Sequence, residues 1–413
     1  MTRTWLRPWI VLIGAAIAVG CRHSNGGSRY LYVWAGPTMP IPAGAPSPDD
    51  FIAVLNANPA DSDYGRPVTS IDAGFHGLMA HHTEYTLPAG HPLFVNDFAT
   101  RQIALIDLAD PLKPRMVRRI DSVPGFGSPH SFRRLPSGNV IATLQFGGAP
   151  RDSGHPGGLA EFDPAGGLVR TGSGADPAFP GAHIRTYGLE IFPTIDRALT
   201  TSAPMNDEHT ADVIQLWRLS DLRLLRTIAI EGVTGDSAGR HPFEVRALRG
   251  DTTALVNTYA CGFYLLTGLA GDQPRATRVY AMPGRNGCSV PVILGHYWVM
   301  PIAYDHSVAV LDIADPAHPS EVSRLTTDTA FNPHWSSADP LSDRIVITGQ
   351  DDGTSRVLIA RLDEKTGRLT WDMRFHDAAS SQPGIAFAAL KWQHAPIANA
   401  MPHGALFGPA PVK

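Results

Sequence analysis

Charge is scarce in this 413-residue chain: Asp, Glu, Lys and Arg together make up only 17% of it. So little charge excludes a coiled coil and a long disordered acidic or basic protein. The 34 basic residues nearly balance the 38 acidic ones, leaving a net charge of −4, so no field gathers nucleic acid. Long apolar runs are also missing. The run from Trp9 to Val19 is about eleven residues, well short of the ~20 needed to cross a bilayer as a helix. Cysteine is rarest, with three residues. In their place stand 40 glycines and 36 prolines, about 18% of the chain against a usual ~12%, and 17 histidines. With 43% hydrophobic residues, this is the composition of a chain that turns often and exposes little helix surface.

Arg3 and Arg7 precede the short apolar run, which ends in Ala18-Val19-Gly20-Cys21. A basic start, a short apolar core and small residues make a secretion signal. Small residues followed by cysteine resemble a bacterial lipoprotein processing site, with ordinary secretion and an uncleaved anchor as alternatives. Residues 1–20 are therefore expected to be a signal peptide, Cys21 to be lipidated, 21–29 to be a short tether, and the protein to lie in the periplasm or on the outer surface. Cys261 and Cys288 then remain as an even pair in an oxidising compartment, a disulfide candidate with two free buried thiols as the alternative.

Two segments read as copies: Ile103-Ala-Leu-Ile-Asp107 through Asp110-Pro111 to Pro114, and Val308-Ala-Val-Leu-Asp312 through Asp315-Pro316 to Pro319. Each is an apolar strand, a proline-bounded turn and a second strand. Weaker relatives end their first strand at Asn56, Asp163, Arg218, Thr267 and Asp363. Units of short β runs recurring about every fifty residues are the signature of a propeller with four-stranded blades. Residues 30–413 are expected to form an all-β, seven-bladed propeller. Tyr30–Trp34 has no strand before it to complete the first blade, and Gly404–Phe407 is an orphan, so pairing of the N- and C-terminal segments is expected to close the ring. Residues 364–400 read as an irregular crossing segment.

At the expected start of each innermost strand stand His81-His82, His130, His183, His241, Cys288, His334 and His403. Innermost strands line the central channel, so these residues ring one mouth of it. Histidines 76, 155, 209, 306, 376 and 394 fall in loops on the same face. A single such histidine is ordinarily a capped strand end; a convergent set points to a metal. Imidazole suits zinc, copper, iron and nickel, and the lack of carboxylates at these positions disfavours calcium and magnesium. Alternation along a strand lets His81 and His82 both act only if the chain bends there.

These stretches, with Tyr30-Leu-Tyr-Val-Trp34, Asp50-Phe-Ile-Ala-Val54, Tyr64-Gly65, Pro242-Phe-Glu244-Val-Arg246, Pro333-His334-Trp335 and Pro402-His403-Gly-Ala-Leu-Phe407, resemble the selenium-binding protein family, whose bacterial members include methanethiol oxidases. The resemblance implies a copper-dependent oxidase that converts methanethiol, O2 and water to formaldehyde, hydrogen sulfide and hydrogen peroxide. It also implies copper held by His81, His82, His130 and His403, with His334 as a further ligand candidate. Phe132 and Arg133 stand where the family often has a second histidine after Pro-His-Ser.

Glu244 and Arg246 read as a channel carboxylate oriented by an arginine, that is, as catalytic candidates; the alternative is an ion pair bracing adjacent blades. Asn206-Asp207-Glu208-His209 could hold a second ion or a polar substrate, or be a solvated loop. The partners expected are a small thiol and O2, with no nucleic acid and membrane contact only through the lipid. The competing function is a non-catalytic metal- or selenium-binding propeller lipoprotein. A lactonase-like propeller would need carboxylate ligands for calcium.

Overall fold

A computed structural model of the chain describes residues 27–37, 49–77, 79–148, 155–205, 210–230, 240–271, 273–282, 285–350, 355–378, 380–387, 390, 392 and 400–408. Seven antiparallel sheets of four main strands follow one another along it, and the last carries a fifth, two-residue strand, Ile385–Ala386. The innermost strands, called A, are Ala400–Gly408, Ala80–Thr83, Phe126–Arg134, Thr186–Phe192, Pro242–Ala247, Val292–Leu294 and Pro333–Ala338 for blades one to seven. The C strands end at Asn56, Asp107, Phe162, Arg218, Thr267, Asp312 and Asp363. The first blade takes its A strand from Ala400–Gly408, which pairs antiparallel with Tyr30–Pro37. Residues 364–400 are not wholly irregular: Arg368–Trp371 is the outer strand of blade seven.

Apolar runs such as Ile103–Ile106 lack alternation because both faces of each sheet are covered. In Ala254–Thr258, Ala254 and Val256 pack with Phe192, Leu199 and Leu216 of blade four. Leu255, between them, packs with Trp298, Met300 and Leu311 of blade six. The period of two survives, with a neighbouring blade on each side in place of solvent on one. Only the outermost strands lose this cover, and Arg115–Ile120 is mostly exposed.

The join between blades one and seven has its own polar lock. Ser28 donates from its amide (3.0 Å) and hydroxyl (2.5 Å) to Asp339. Arg344 donates to Asp339 (2.7 Å), to the Ser28 carbonyl (2.8 Å) and to the Ala57 carbonyl. Both charged side chains are almost fully buried. The Asp339 carboxyl is pushed up by burial, but the hydrogen bonds from Ser28 and Ser342 and the nearby guanidinium outweigh this and hold it below the usual range.

Candidate metal centre

The A strands break register where the candidate residues stand. The shifts fall between Ala80 and Thr83, Pro129 and Phe132, Thr186 and Leu189, Pro242 and Glu244, and Pro333 and Trp335. A further shift lies opposite His403. An extra residue in a ladder bends the strand and re-aims its side chains. This is the bend that His81 and His82 require. It also corrects the expectation that the ligands open their strands, since His130 is the fifth residue of Phe126–Arg134.

Polar residues of the second strands hold the bulges. Asn96 accepts from the His82 amide (2.7 Å) and donates to the Pro129 carbonyl in the next blade. Thr143 accepts from the Ser131 amide (2.9 Å) and donates to the Tyr187 carbonyl (2.7 Å). Thr201 accepts from the Gly188 amide (2.8 Å) and donates to the Phe243 carbonyl (2.6 Å). Asn257 donates to the Cys288 carbonyl (2.9 Å), and Thr348 to that of His403. The amide bonds lie within a blade, whereas each bond donated to a carbonyl ties one blade's second strand to the next blade. Glycine suits two of the crowded places: a Cβ on Gly188 would lie 2.5 Å from the Phe243 carbonyl oxygen, and one on Gly404 2.8 Å from Thr83 Cγ2.

The bulged side chains close into a circle of seven rings. His81 lies 4.3 Å from His82 between centroids, His82 4.1 Å from His130, and His130 3.7 Å from Tyr187. Tyr187 is 4.3 Å from Phe243, which is 6.3 Å from His334. His334 is 4.8 Å from His403, and His403 returns to His81 at 4.2 Å. Blades four and five thus contribute Tyr187 and Phe243. His183 and His241, the histidines expected from those blades, are only half-buried outside the circle, and His241 faces Asp212. Blade six contributes no imidazole, and its Cys288 is joined to Cys261 in a disulfide.

All five imidazoles are buried. His81 Nε2 lies 3.0 Å from His130 Nε2, and among the described residues His81, His82 and His403 offer nitrogens all within 4.8 Å of one another. His82 Nε2, His403 Nδ1 and both nitrogens of His334 have no hydrogen-bond partner. Burial, and then the neighbouring imidazoles, push His81, His82, His130 and His334 well below the usual histidine range; burial takes His403 to about 3. These groups are neutral at ordinary pH, the form that binds metals. Two imidazoles sharing an ion through ~2.0–2.1 Å bonds stand roughly 2.9–3.4 Å apart, so the His81–His130 spacing fits. Orphaned buried nitrogens fit as well, because such groups otherwise cost free energy.

Of the loop histidines, His155, His306 and His376 do not join. His306 and His376 spend Nδ1 on the carbonyls of Phe331 and Asp377, and His155 is exposed. His209, His394, the Asn206–His209 cluster and Cys21 lie outside the described residues, and His76 ends the outer strand Pro67–His76.

Glu244 and Arg246 are paired at 2.7 Å and buried. Burial pushes the Glu244 carboxyl up, against the pull of Arg246 and Tyr85. The Tyr85 hydroxyl lies 2.8 Å from Glu244 Oε2 and 3.2 Å from Ser131 Oγ. Its ring stacks on Trp335 at 5.4 Å and carries the guanidiniums of Arg133 and Arg246, each 4.2 Å from the centroid. Sequence reasoning missed Tyr85, Ser131 and the polar residues of the second strands. The available signal was a polar residue near the end of an apolar run, as in Leu93-Phe-Val-Asn96 and Ile141-Ala-Thr143.

No family model matches the chain. Over 183 residues it is 29% identical to a methanethiol oxidase from a Hyphomicrobium species; the match takes in 43% of this chain and spans about two fifths (39%) of that relative. In fold it is similar to a hypothetical selenium-binding protein from Sulfolobus tokodaii, with a TM-score of 0.73 over 93% of this chain and 94% of the other at 13% identity. It also matches the periplasmic gluconolactonase of Pseudomonas aeruginosa, with a TM-score of 0.59 over 83% and 95% of the two chains at 12% identity. That likeness is one of fold. The motif resemblance to the selenium-binding protein and methanethiol oxidase family is borne out by the matched sequence, and the Sulfolobus protein shares the fold.

Proposed function

We propose that the protein is an exported, copper-dependent oxidase of methanethiol or a similar small thiol, giving an aldehyde, sulfide and hydrogen peroxide. The observation that carries this reading is the convergence of five buried imidazoles from four blades, several with orphaned nitrogens. An all-nitrogen donor set suits a transition metal, and copper heads the divalent affinity order for such sites. His81, His82, His130 and His403 would hold the ion, with His334 beside them. Bound copper supplies a soft-ligand site that acidifies a thiol and accepts electrons.

The protein's own groups do the rest. Tyr187 and Phe243 occupy the part of the circle that lacks imidazole, and aromatic faces favour contact with sulfur and methyl groups. Phe98 packs 5.9 Å from the His81 ring and 6.2 Å from that of His130, keeping water away. Glu244, anchored by Arg246, can hold a proton; the contacts linking it to the imidazoles run through Tyr85 and Ser131. The partners are the thiol and O2. Export through residues 1–20, with lipidation at Cys21, agrees with the Cys261–Cys288 disulfide, which belongs in an oxidising compartment.

Elemental analysis of mature protein produced in the periplasm, coupled to an oxygen electrode and a panel of thiols, tests the reading. About one copper per chain and thiol-dependent O2 uptake with peroxide release are expected. Copper without uptake would make the protein a metal-binding propeller; absence of copper would remove the cofactor.

A further inference from the structure

We infer that Ser131 and Tyr85 are positioning residues that fix the tautomers of His130 and His82, leaving their Nε2 lone pairs free to face a metal. The inference rests on the metal reading above. Ser131 Oγ lies 3.0 Å from His130 Nδ1, 3.5 Å from His82 Nδ1 and 3.2 Å from the Tyr85 hydroxyl. A serine hydroxyl has one proton and two acceptor sites, so the direction of each bond can be worked out from the far end.

Glu244 Oε2 accepts from Arg246 Nη1 at 2.7 Å and lies 2.8 Å from the Tyr85 oxygen. The phenol has a single proton, and this carboxylate oxygen is its acceptor. The Tyr85 oxygen therefore meets Ser131 as an acceptor and takes the serine's one proton. That leaves Ser131 with only lone pairs for the two imidazoles, so both must present Nδ1–H. His82 Nε2 is without a partner and His130 Nε2 faces His81, the atoms expected to point at an ion. The run from carboxylate through phenol and hydroxyl to imidazole lengthens the usual carboxylate–histidine–metal arrangement and lets one carboxylate orient two ligands. Glu244 thereby acts at a distance, as the fixed end of the chain.

The test uses the mature full chain labelled with 15N at histidine. In the metal-free wild type, long-range 1H–15N correlation should place the His130 and His82 protons on Nδ1. Tyr85→Phe removes the oxygen that receives the serine proton and should raise the Nε2–H population at His130. Copper(II) affinity, from competition with a chelator, should fall roughly 10–100-fold in Tyr85→Phe and Ser131→Ala, and Ser131→Thr should restore it. If Ser131→Ala does not fold, the wild-type spectrum and Tyr85→Phe, which loses one oxygen, decide. A wild-type His130 carrying its proton on Nε2 overturns the inference. So do folded variants that bind copper as tightly as wild type, and that outcome leaves the metal reading standing. A wild type that binds no copper(II) overturns both.

Discussion

His81 and His130, 49 residues apart in sequence, meet with their Nε2 atoms 3.0 Å apart at facing bulges of neighbouring blades. Replacing His130 or His403 by Ala should lower copper affinity by more than the ~10–100-fold of an outer-shell change and leave the β-rich circular dichroism spectrum intact. Metal analysis beside the spectrum checks this, and loss of the fold would mark the residue as structural.

Thr143→Val tests whether the bulge positions the imidazole. The change keeps shape but removes the acceptor of the Ser131 amide and the donor to the Tyr187 carbonyl. Each buried group left unsatisfied costs ~1–3 kcal/mol. For the two groups together denaturant unfolding should show a loss of about 2–6 kcal/mol, and copper binding should weaken although no candidate ligand has changed.

Phe243→Ala should widen the site between Tyr187 and His334. A pocket discriminates by ~1–3 kcal/mol per methylene, so preference for methanethiol over a three- or four-carbon thiol should narrow by about tenfold or more. Oxygen-uptake kinetics on the two thiols measure the ratio; an unchanged ratio would show that the ring does not meet substrate.

The blade-one lock makes acid sensitivity calculable in sign. Asp339 has its folded pKa depressed below its unfolded value, so its contribution is present above the unfolded pKa, near 4, and is lost as pH falls through the lower folded one. Arg344→Met leaves the carboxylate buried without its cation and should cost ~3–5 kcal/mol at neutral pH. Asp339→Asn should flatten the fall in stability below about pH 4 seen in wild type. Thermal unfolding across pH reads both.

The Cys261–Cys288 bridge closes a separation of 27 residues. Replacing both cysteines by Ser should cost about 3–4 kcal/mol by loop entropy without altering metal content, because neither sulfur is part of the seven-ring circle.

The sequence made the propeller legible wherever an apolar run met a turn. Asn56, Asp107, Arg218, Thr267, Asp312 and Asp363 were read as strand ends and are strand ends. His81, His82, His130, His334 and His403 were legible because recurrence at one place in successive units does not depend on detail. The bulges were not, since register is a property of a strand and its partner together. Without them, His183 and His241 looked equivalent to His130, yet the positions that turn inward belong to Tyr187 and Phe243. Tyr85 was hidden for the same reason: its partners Glu244 and Ser131 come from other blades.

The strand Ala400–Gly408 is the inner strand of the first blade and brings His403 to His81. Blades two to seven draw all their strands from residues that precede it. A chain cut short before it would lack both His403 and the inner strand of the first blade. Under the copper proposal such a shortened copy lacks one of the four candidate ligands and should fail to retain the ion, so metal retention would separate whole copies from cut ones.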